Sequence, residues 1–178
     1  MDFKTVTSGL LQRFTERRVR YGLIGGFALG LWGGIRSTVD LDFLVHREDV
    51  GNVEVIMKEL GYACGFKSEN VSQYVSPQKI FGEVDFIHAF RQASLEMLGR
   101  AVEKKIFNGE LLIKVLVPED LIGLKLQAIK NSPARKEQDM ADIKALKLAR
   151  LGKLDWELIQ RYAEILEAGD LLKEFSGE

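Results

Sequence analysis

The spacing of apolar positions predicts a chain that begins as α/β and ends as helices only. Apolar residues grouped on one side of the chain predict four helices in the first part, at 3–20, 27–32, 49–60 and 92–101. Short apolar runs between them predict strands at 21–24, 39–45, 62–66, 73–75, 79–81, 83–88, 104–107 and 110–116. Gly82 predicts a bend between 79–81 and 83–88, and Asn108-Gly109 predicts a two-residue hairpin turn.

The second part of the chain contains only helical patterns. Pro118 stands at a first-turn position with acids behind it, which predicts a helix running to about Lys130. Three further helices are predicted at roughly 136–150, 155–167 and 169–175. This change of pattern predicts two domains, an α/β domain of residues 1–117 and a helical subdomain of residues 118–178.

Composition excludes several classes of protein. The chain has 178 residues with a formal net charge of −1, so no overall positive field favours bulk nucleic-acid binding. Cys64 is the one cysteine, which excludes an intrachain disulfide and zinc-finger spacings. Charged residues interrupt the N-terminal segment, and no apolar run reaches the roughly 18 residues that a membrane span needs. We therefore expect a cytoplasmic protein with no membrane segment.

Two carboxylates interrupt the apolar strand 39–45. Asp40 and Asp42 are separated by one residue, so in a strand both would point to the same face. Aspartate disfavours strands, and two adjacent like charges require a counterion. Mg²⁺ is the natural counterion, because it binds one or two carboxylates together with substrate phosphates. The alternative interpretation is an edge strand with solvated aspartates.

A third aspartate repeats this pattern in strand 83–88. Asp85 is flanked by Val84, Phe86 and Ile87, so a buried carboxylate there would need a partner. If the two strands are neighbours, Asp85 joins the first pair in a three-carboxylate cluster. Such a cluster could hold two divalent ions.

Several other residues are candidates for binding a polyanionic ligand. Gly25 and Gly26 end a strand and open a helix, where backbone N–H groups can approach a triphosphate closely. Arg36 and Thr38 precede the first carboxylate strand and could bind phosphate. Lys125 lies among apolar residues on the helix that begins at Pro118. For each of these the simpler alternative is an ordinary turn or a solvated charge.

The ordered set resembles the DNA polymerase beta-like nucleotidyltransferase superfamily. That pattern is an apolar strand, two small residues, a short helix, an Asp-x-Asp strand and a later acid. Here it reads Leu23-Ile24-Gly25-Gly26, then Asp40-Leu41-Asp42-Phe43, then Val84-Asp85-Phe86. Two segments, Gly-Gly-Phe-Ala-Leu and Arg36–Asp42, are most similar to the AbiEii-like group, which includes type IV toxin–antitoxin toxins.

The resemblance implies a nucleotidyltransferase fold, namely a small mixed β-sheet flanked by helices with a C-terminal helical subdomain. It implies that Gly25 and Gly26 hold the triphosphate of an NTP such as ATP. It further implies that Asp40, Asp42 and Asp85 bind Mg²⁺ in a two-metal site. Arg36, Thr38 and Lys125 are then the expected nucleotide ligands from side chains.

The acceptor of the nucleotidyl group stays open at this level. RNA, a protein or a small molecule such as an antibiotic would each fit, and a toxin-like role would imply an antitoxin partner. A phosphatase of the haloacid-dehalogenase type also uses Asp-x-Asp, but it leaves the upstream glycine pair unexplained. A non-catalytic nucleotide-binding or interaction module on the same fold is the alternative from another class.

Overall fold

The computed structural model describes residues 1–34 and 38–176. Its helices are α1 (Phe3–Glu16), α2 (Gly25–Leu31), α3 (Val50–Glu59), α4 (Gln92–Arg100), α5 (Pro118–Asn131), α6 (Lys136–Ala149), α7 (Trp156–Ile165) and α8 (Gly169–Ser176). Its strands are β1 (Tyr21–Ile24), β2 (Leu41–His46), β3 (Ala63–Lys67), β4 (Val71–Val75), β5 (Glu83–Ala89), β6 (Val102–Ile106) and β7 (Leu111–Val115). Within the described ranges, no helix has both the length and the apolar character needed to cross a membrane.

The seven strands form one mixed sheet in the order β3-β4-β5-β2-β1-β7-β6. Strand β2 is parallel to β5 and β1 is parallel to β7, whereas the other neighbouring pairs are antiparallel. A mixed sheet whose strands alternate with helices confirms the predicted α/β class. The order also makes the two aspartate-bearing strands neighbours, although a helix and two strands separate them along the chain.

Aromatic packing decides which way the central strands face. The ring of Phe14 on α1 lies 4.9 Å from that of Tyr21, 5.6 Å from that of Phe43 and 6.4 Å from that of Phe86. Such pairs contribute about 0.5–1.5 kcal/mol each beyond the area they bury. Because side chains alternate along a strand, burying Phe43 and Phe86 under α1 turns their neighbours Asp42 and Asp85 to the opposite face.

The described residues divide into two compact units. One comprises residues 1–28 and 38–116, and the other comprises residues 29–34 and 117–176. Residues 29–34, which the sequence assigns to the α/β part, pack within the helical unit. There the Arg150 guanidinium lies 5.1 Å from the centre of the Trp32 ring, and Gly33 lies against the Ala149 methyl group.

Two local predictions were wrong, and both errors have a tertiary cause. Residues 79–81 form a 3₁₀ turn instead of a strand, and the Ile80 carbonyl accepts a hydrogen bond from the backbone N–H of Asp2 at the chain start. The hairpin between β6 and β7 contains a three-residue 3₁₀ turn, Phe107–Gly109, instead of a two-residue turn. The Phe107 ring stacks on Phe27 at 6.3 Å, a contact that local turn rules do not include.

A buried histidine links β4 to β5 on the face that α1 covers. The Ser72 hydroxyl and His88 Nε2 are 3.0 Å apart, and His88 Nδ1 lies 3.0 Å from the carbonyl oxygen of Glu69. A carbonyl only accepts, so Nδ1 carries the proton and Nε2 accepts from the hydroxyl. Burial lowers the pKa of His88, the bond to the Glu69 carbonyl opposes this, and the positive charges of Lys67 and Arg47 lower the pKa further. Burial therefore favours the neutral imidazole at neutral pH.

We expect His88 to make the protein less stable in mild acid. Its pKa is lower in the folded state than the ordinary value of 6.5, so the unfolded state binds more protons as the pH falls through that value. The loss is at most about 1.4 kcal/mol per pH unit below 6.5. Urea denaturation at pH 7.5 and 5.5 should show a smaller pH effect for His88→Gln than for the wild type. Equal pH effects in the two proteins would contradict this assignment.

Candidate active site

Asp42 and Asp85 occupy directly paired positions on neighbouring parallel strands. In the register of β2 against β5, Leu41 pairs with Val84 and Asp42 pairs with Asp85. Paired positions on adjacent strands lie about 4.8 Å apart and point to the same face. Both aspartates are half-buried. Carboxylates on one face of a sheet favour a bound cation, and the negative charges of Asp40 and Glu83 also act on Asp85.

Asp40 lies outside the strand, which corrects one sequence prediction. Strand β2 begins at Leu41, and Asp40 lies in a bend in front of it. The Thr38 hydroxyl donates to the Asp40 carbonyl at 3.2 Å and lies 3.4 Å from the Asp40 N–H, which replaces pairing within the sheet. Strand alternation therefore does not fix the direction of the Asp40 side chain, although its negative charge acts on Asp85.

The carboxyl group of Asp85 has an asymmetric environment. Oδ2 accepts a hydrogen bond of 3.2 Å from Nε2 of Gln73 on β4. Oδ1 is buried and has no hydrogen-bond partner among the described residues. Burial raises the pKa of Asp85, the Gln73 bond opposes this, and the negative charges of Asp40 and Glu83 raise the pKa further. A buried carboxylate oxygen without a partner is costly unless a ligand satisfies it.

Gly25 lies directly against Asp42. It begins α2 directly after Ile24, the last residue of β1, which pairs with Asp42. Its φ of 67° lies in the left-handed region that favours glycine. A Cβ at this position would overlap Oδ2 of Asp42 and would lie 2.6 Å from its Cγ. The glycine therefore makes room for the carboxylate itself, a reason for its presence that the sequence does not reveal.

We expect Gly25→Ala to displace the Asp42 carboxylate and to abolish whatever chemistry depends on it. The strained φ adds about 1–2 kcal/mol of destabilisation to the overlap. Gly30→Ala is the matched control, because it lies on the same helix and no atom lies within 4 Å of the added methyl group. The measurements are nucleotidyl transfer and the thermal midpoint of both variants. Full activity of Gly25→Ala would show that this close approach has no function.

The other predicted nucleotide ligands are placed as follows. Gly26 lies in the first turn of α2 and is buried. The hydroxyl of Thr38 donates a hydrogen bond to the Asp40 carbonyl in the bend before β2. Arg36 lies outside the described residues. The nucleotide-binding roles of these residues stay predictions.

Lys125 is held in the helical unit by two buried carboxylates. Its Nζ lies 2.9 Å from Oδ1 of Asp139 and 2.5 Å from Oδ2 of Asp142, both on α6. Arg135 adds a second cation to Asp139 at 3.0 Å. Burial raises the pKa of Asp139, but the bonds from Lys125 and Arg135 outweigh burial and hold it below its usual value. The lysine thus joins α5 to α6, and its phosphate-binding role stays a prediction.

The paired carboxylates fit a divalent cation of the magnesium type. In the described part of the chain, no three Asp, Glu, His or Cys side chains are already gathered as a metal-ligand group. Mg²⁺ does not require such a group, because one or two protein carboxylates suffice when a phosphate substrate and water complete its shell. The adjacency of Asp42 and Asp85 and the unsatisfied Oδ1 of Asp85 meet this requirement.

Gln73 is a site residue that the sequence did not reveal. Strand β4 has Val71, Gln73 and Val75 on one face, and register pairs Gln73 with Asp85. In the sequence, Gln73 is only a glutamine between two valines at alternate strand positions. Its contact with Asp85 could be recognised only from the sheet order, which places β4 beside β5.

Structural comparison identifies the fold. The protein superimposes on the antibiotic-resistance factor ANT(2'')-Ia with a TM-score of 0.67 and 18% sequence identity, covering 98% of this chain and 97% of that one. It superimposes on the lincosamide antibiotic adenylyltransferase LnuA with a TM-score of 0.57 and 16% identity, covering 80% and 95%. An antigenic nucleotidyltransferase-like protein from Paracoccidioides brasiliensis gives a TM-score of 0.60 and 18% identity, covering 97% and 91%.

These similarities show that the chain has the nucleotidyltransferase fold that its sequence predicted. No protein-family model matches the sequence, and no curated protein sequence does. Two of these neighbours are named an adenylyltransferase and a nucleotidyltransferase-like protein, and at this identity all three share a fold with this chain. The AbiEii-like kinship stays a prediction.

Proposed function

We propose that this nucleotidyltransferase-fold protein is a metal-dependent enzyme that transfers a nucleoside monophosphate from an NTP to an acceptor hydroxyl. The observation that carries the proposal is the direct pairing of Asp42 with Asp85, with Gly25 leaving room for the Asp42 carboxylate. A fold alone does not imply an activity, so the proposal depends on these two carboxylates and on Gly25. ATP is the first nucleotide to test, because the neighbour LnuA is named an adenylyltransferase.

In this proposal Asp42 and Asp85 would hold Mg²⁺, and Asp40 would complete the two-metal site that the sequence resemblance implies. When bound, the metal would neutralise the charge of the triphosphate and of the transition state. Gly25 and Gly26 let the backbone approach the phosphates closely. We assign the proton of the acceptor hydroxyl to the Asp85 carboxylate, which is paired with Asp42 on the neighbouring strand. The acceptor oxygen then bonds to the α-phosphorus, and pyrophosphate leaves.

We further propose that the acceptor is a small molecule. Val75, Glu83 and Ile87 are exposed on the sheet face that carries Asp85. Lys67 points to the other face, where it pairs with Glu54. Among the described strand residues of β2, β4 and β5, none on the Asp85 face is Lys or Arg. A polynucleotide acceptor needs cations along its phosphates. These three strands offer none on the Asp85 face, and the lysines that share this face, Lys105 and Lys114, lie on β6 and β7 at the far end of the sheet.

The toxin-like role rests on the resemblance and stays the second candidate. It requires an acceptor inside the host cell and an antitoxin partner. Expression of the wild type should then arrest growth, expression of Asp42→Asn should not, and the product of a neighbouring gene should relieve the arrest. Normal growth with an active wild-type enzyme would exclude this role.

The test of the proposed function is transfer of label from each α-³²P-labelled NTP. The protein is incubated with Mg²⁺ and cell extract, and products are separated into RNA, protein and small molecules. We expect label in a small-molecule product that is distinct from the NTP. This labelled product should be absent when EDTA is added and when Asp42→Asn replaces the wild type. Binding of Mg²⁺ and NTP without any transfer would overturn the proposal in favour of a non-catalytic nucleotide-binding module. Label in RNA would overturn the small-molecule acceptor alone.

A further inference from the structure

We propose that Gln73 is a positioning residue that fixes the Asp85 carboxylate for metal binding and transfer. The proposal rests on the function proposed above and adds a residue to it. Its basis is one hydrogen bond across two registered strands, from Nε2 of Gln73 to Oδ2 of Asp85 at 3.2 Å. A carboxylate oxygen only accepts, so the amide must present its NH₂ group to Asp85. Its bond to Oδ2 leaves Oδ1 as the oxygen that can meet a ligand.

The backbone beneath Gln73 is held in register from the opposite face. Ser72 precedes Gln73, and its hydroxyl is bonded to His88 on β5 at 3.0 Å. The backbone N–H of His88 donates to the Asn70 carbonyl at 2.8 Å, which extends the link beyond the sheet pairs. Both Ser72 and His88 are buried. A one-residue slip of β4 would turn Gln73 away from Asp85, and this interior link opposes such a slip.

A neutral donor suits this position better than a cation would. Lysine or arginine beside Asp85 would neutralise the carboxylate and would compete with Mg²⁺ for it. The glutamine amide restricts rotation of the carboxyl group while leaving its negative charge intact. Partners of this kind, which orient a metal ligand without touching the metal, typically change metal affinity or activity about 10–100-fold when they are removed.

The test replaces Gln73 with leucine, which keeps the approximate size of the side chain and removes its donor. The second variant, Gln73→Met, keeps the length of the side chain and also lacks the donor. The matched control is Gln160→Leu, since Gln160 makes the same type of bond to Glu164, at 3.0 Å, on the exposed surface of α7. Circular dichroism and thermal melting first establish that each variant is folded.

Two measurements then follow. Mn²⁺ is used as the metal probe, and its affinity for the nucleotide-free protein is measured by electron paramagnetic resonance. We expect both Gln73 variants to bind Mn²⁺ roughly 10-fold more weakly than the wild type, and Gln160→Leu to bind it normally. In the transfer assay, we expect kcat to fall about 10–100-fold with the KM for NTP changed less than about 2-fold.

The outcomes separate this proposal from the proposed function. Wild-type Mn²⁺ affinity in folded Gln73→Leu and Gln73→Met would overturn the positioning role, whatever the transfer assay shows. Weaker Mn²⁺ binding confined to the Gln73 variants supports it, even if the wild type transfers no label. In that second case the proposed activity fails and the role of Gln73 at the carboxylate pair stands.

Discussion

Replacing Asp42 with asparagine is expected to reduce nucleotidyl transfer roughly a thousandfold or more, while the protein stays folded. Asparagine has the shape of aspartate, so it fits against Gly25 as the carboxylate does. It removes the negative charge at the β2 position that is in register with Asp85 on β5. A metal that neutralises transition-state charge contributes several kcal/mol, and losing about 4 kcal/mol corresponds to this factor.

The same substitution should change the free energy of unfolding by no more than about 1 kcal/mol. Asparagine keeps the size of aspartate and can still form hydrogen bonds at this half-buried position. Asp170→Asn, at an exposed position on α8, is the matched control. It should be neutral for activity and should cost at most about 1 kcal/mol of stability, because it removes a negative charge from the first turn of the helix. Transfer rates and urea denaturation are measured for the wild type, Asp42→Asn and Asp170→Asn. An Asp42→Asn enzyme within about threefold of wild type would exclude a metal-binding role for this residue.

Replacing Lys125 with methionine is expected to destabilise the protein by about 3–5 kcal/mol. The substitution removes the cation from Asp139 and Asp142, which are 1% and 5% exposed. A buried carboxylate that loses its cation keeps its full desolvation cost. Arg135 and Gln138 still donate to these two residues, so we expect the lower end of the range.

An exposed ion pair in the same unit provides the comparison. Lys136 and Glu174 are 2.8 Å apart with side chains 49% and 40% exposed. Lys136→Met should cost less than about 1 kcal/mol, because solvent already screens this pair. Urea denaturation at neutral pH measures both variants. A loss below 1 kcal/mol for Lys125→Met would show that the α5–α6 junction does not depend on its buried charges.

The sequence predicted the main elements because their patterns are local. The apolar runs of β1, β2 and β5 and the proline that opens α5 depend on neighbouring residues only, and these elements formed. The candidate carboxylates Asp42 and Asp85 were recognisable because aspartate is unfavourable in an apolar strand. Their adjacency needed the sheet order, which periodicity does not specify, and the structure supplied it.

Features that depend on distant contacts were missed. Asp40 lies in a bend because the Thr38 hydroxyl bonds to its backbone, a competition between side chain and sheet that strand patterns ignore. The partnership of Gln73 with Asp85 joins residues on separate strands. The burial of Lys125 against Asp139 likewise requires α5 and α6 to be packed, so a lysine flanked by apolar residues gave no sign of its partners.

The packing of residues 29–34 within the helical unit has a consequence for synthesis of the chain. Trp32 contacts Arg150, which lies 118 positions later by subtraction of the two residue numbers. A ribosome adding about 5–20 residues per second needs roughly 6–24 s to cover that interval. During this time β1 and β2 are already available to pair, whereas Arg150, at the end of α6, has not yet been added to contact Trp32. A chaperone that binds aromatic segments could therefore protect this part of the chain until α6 emerges.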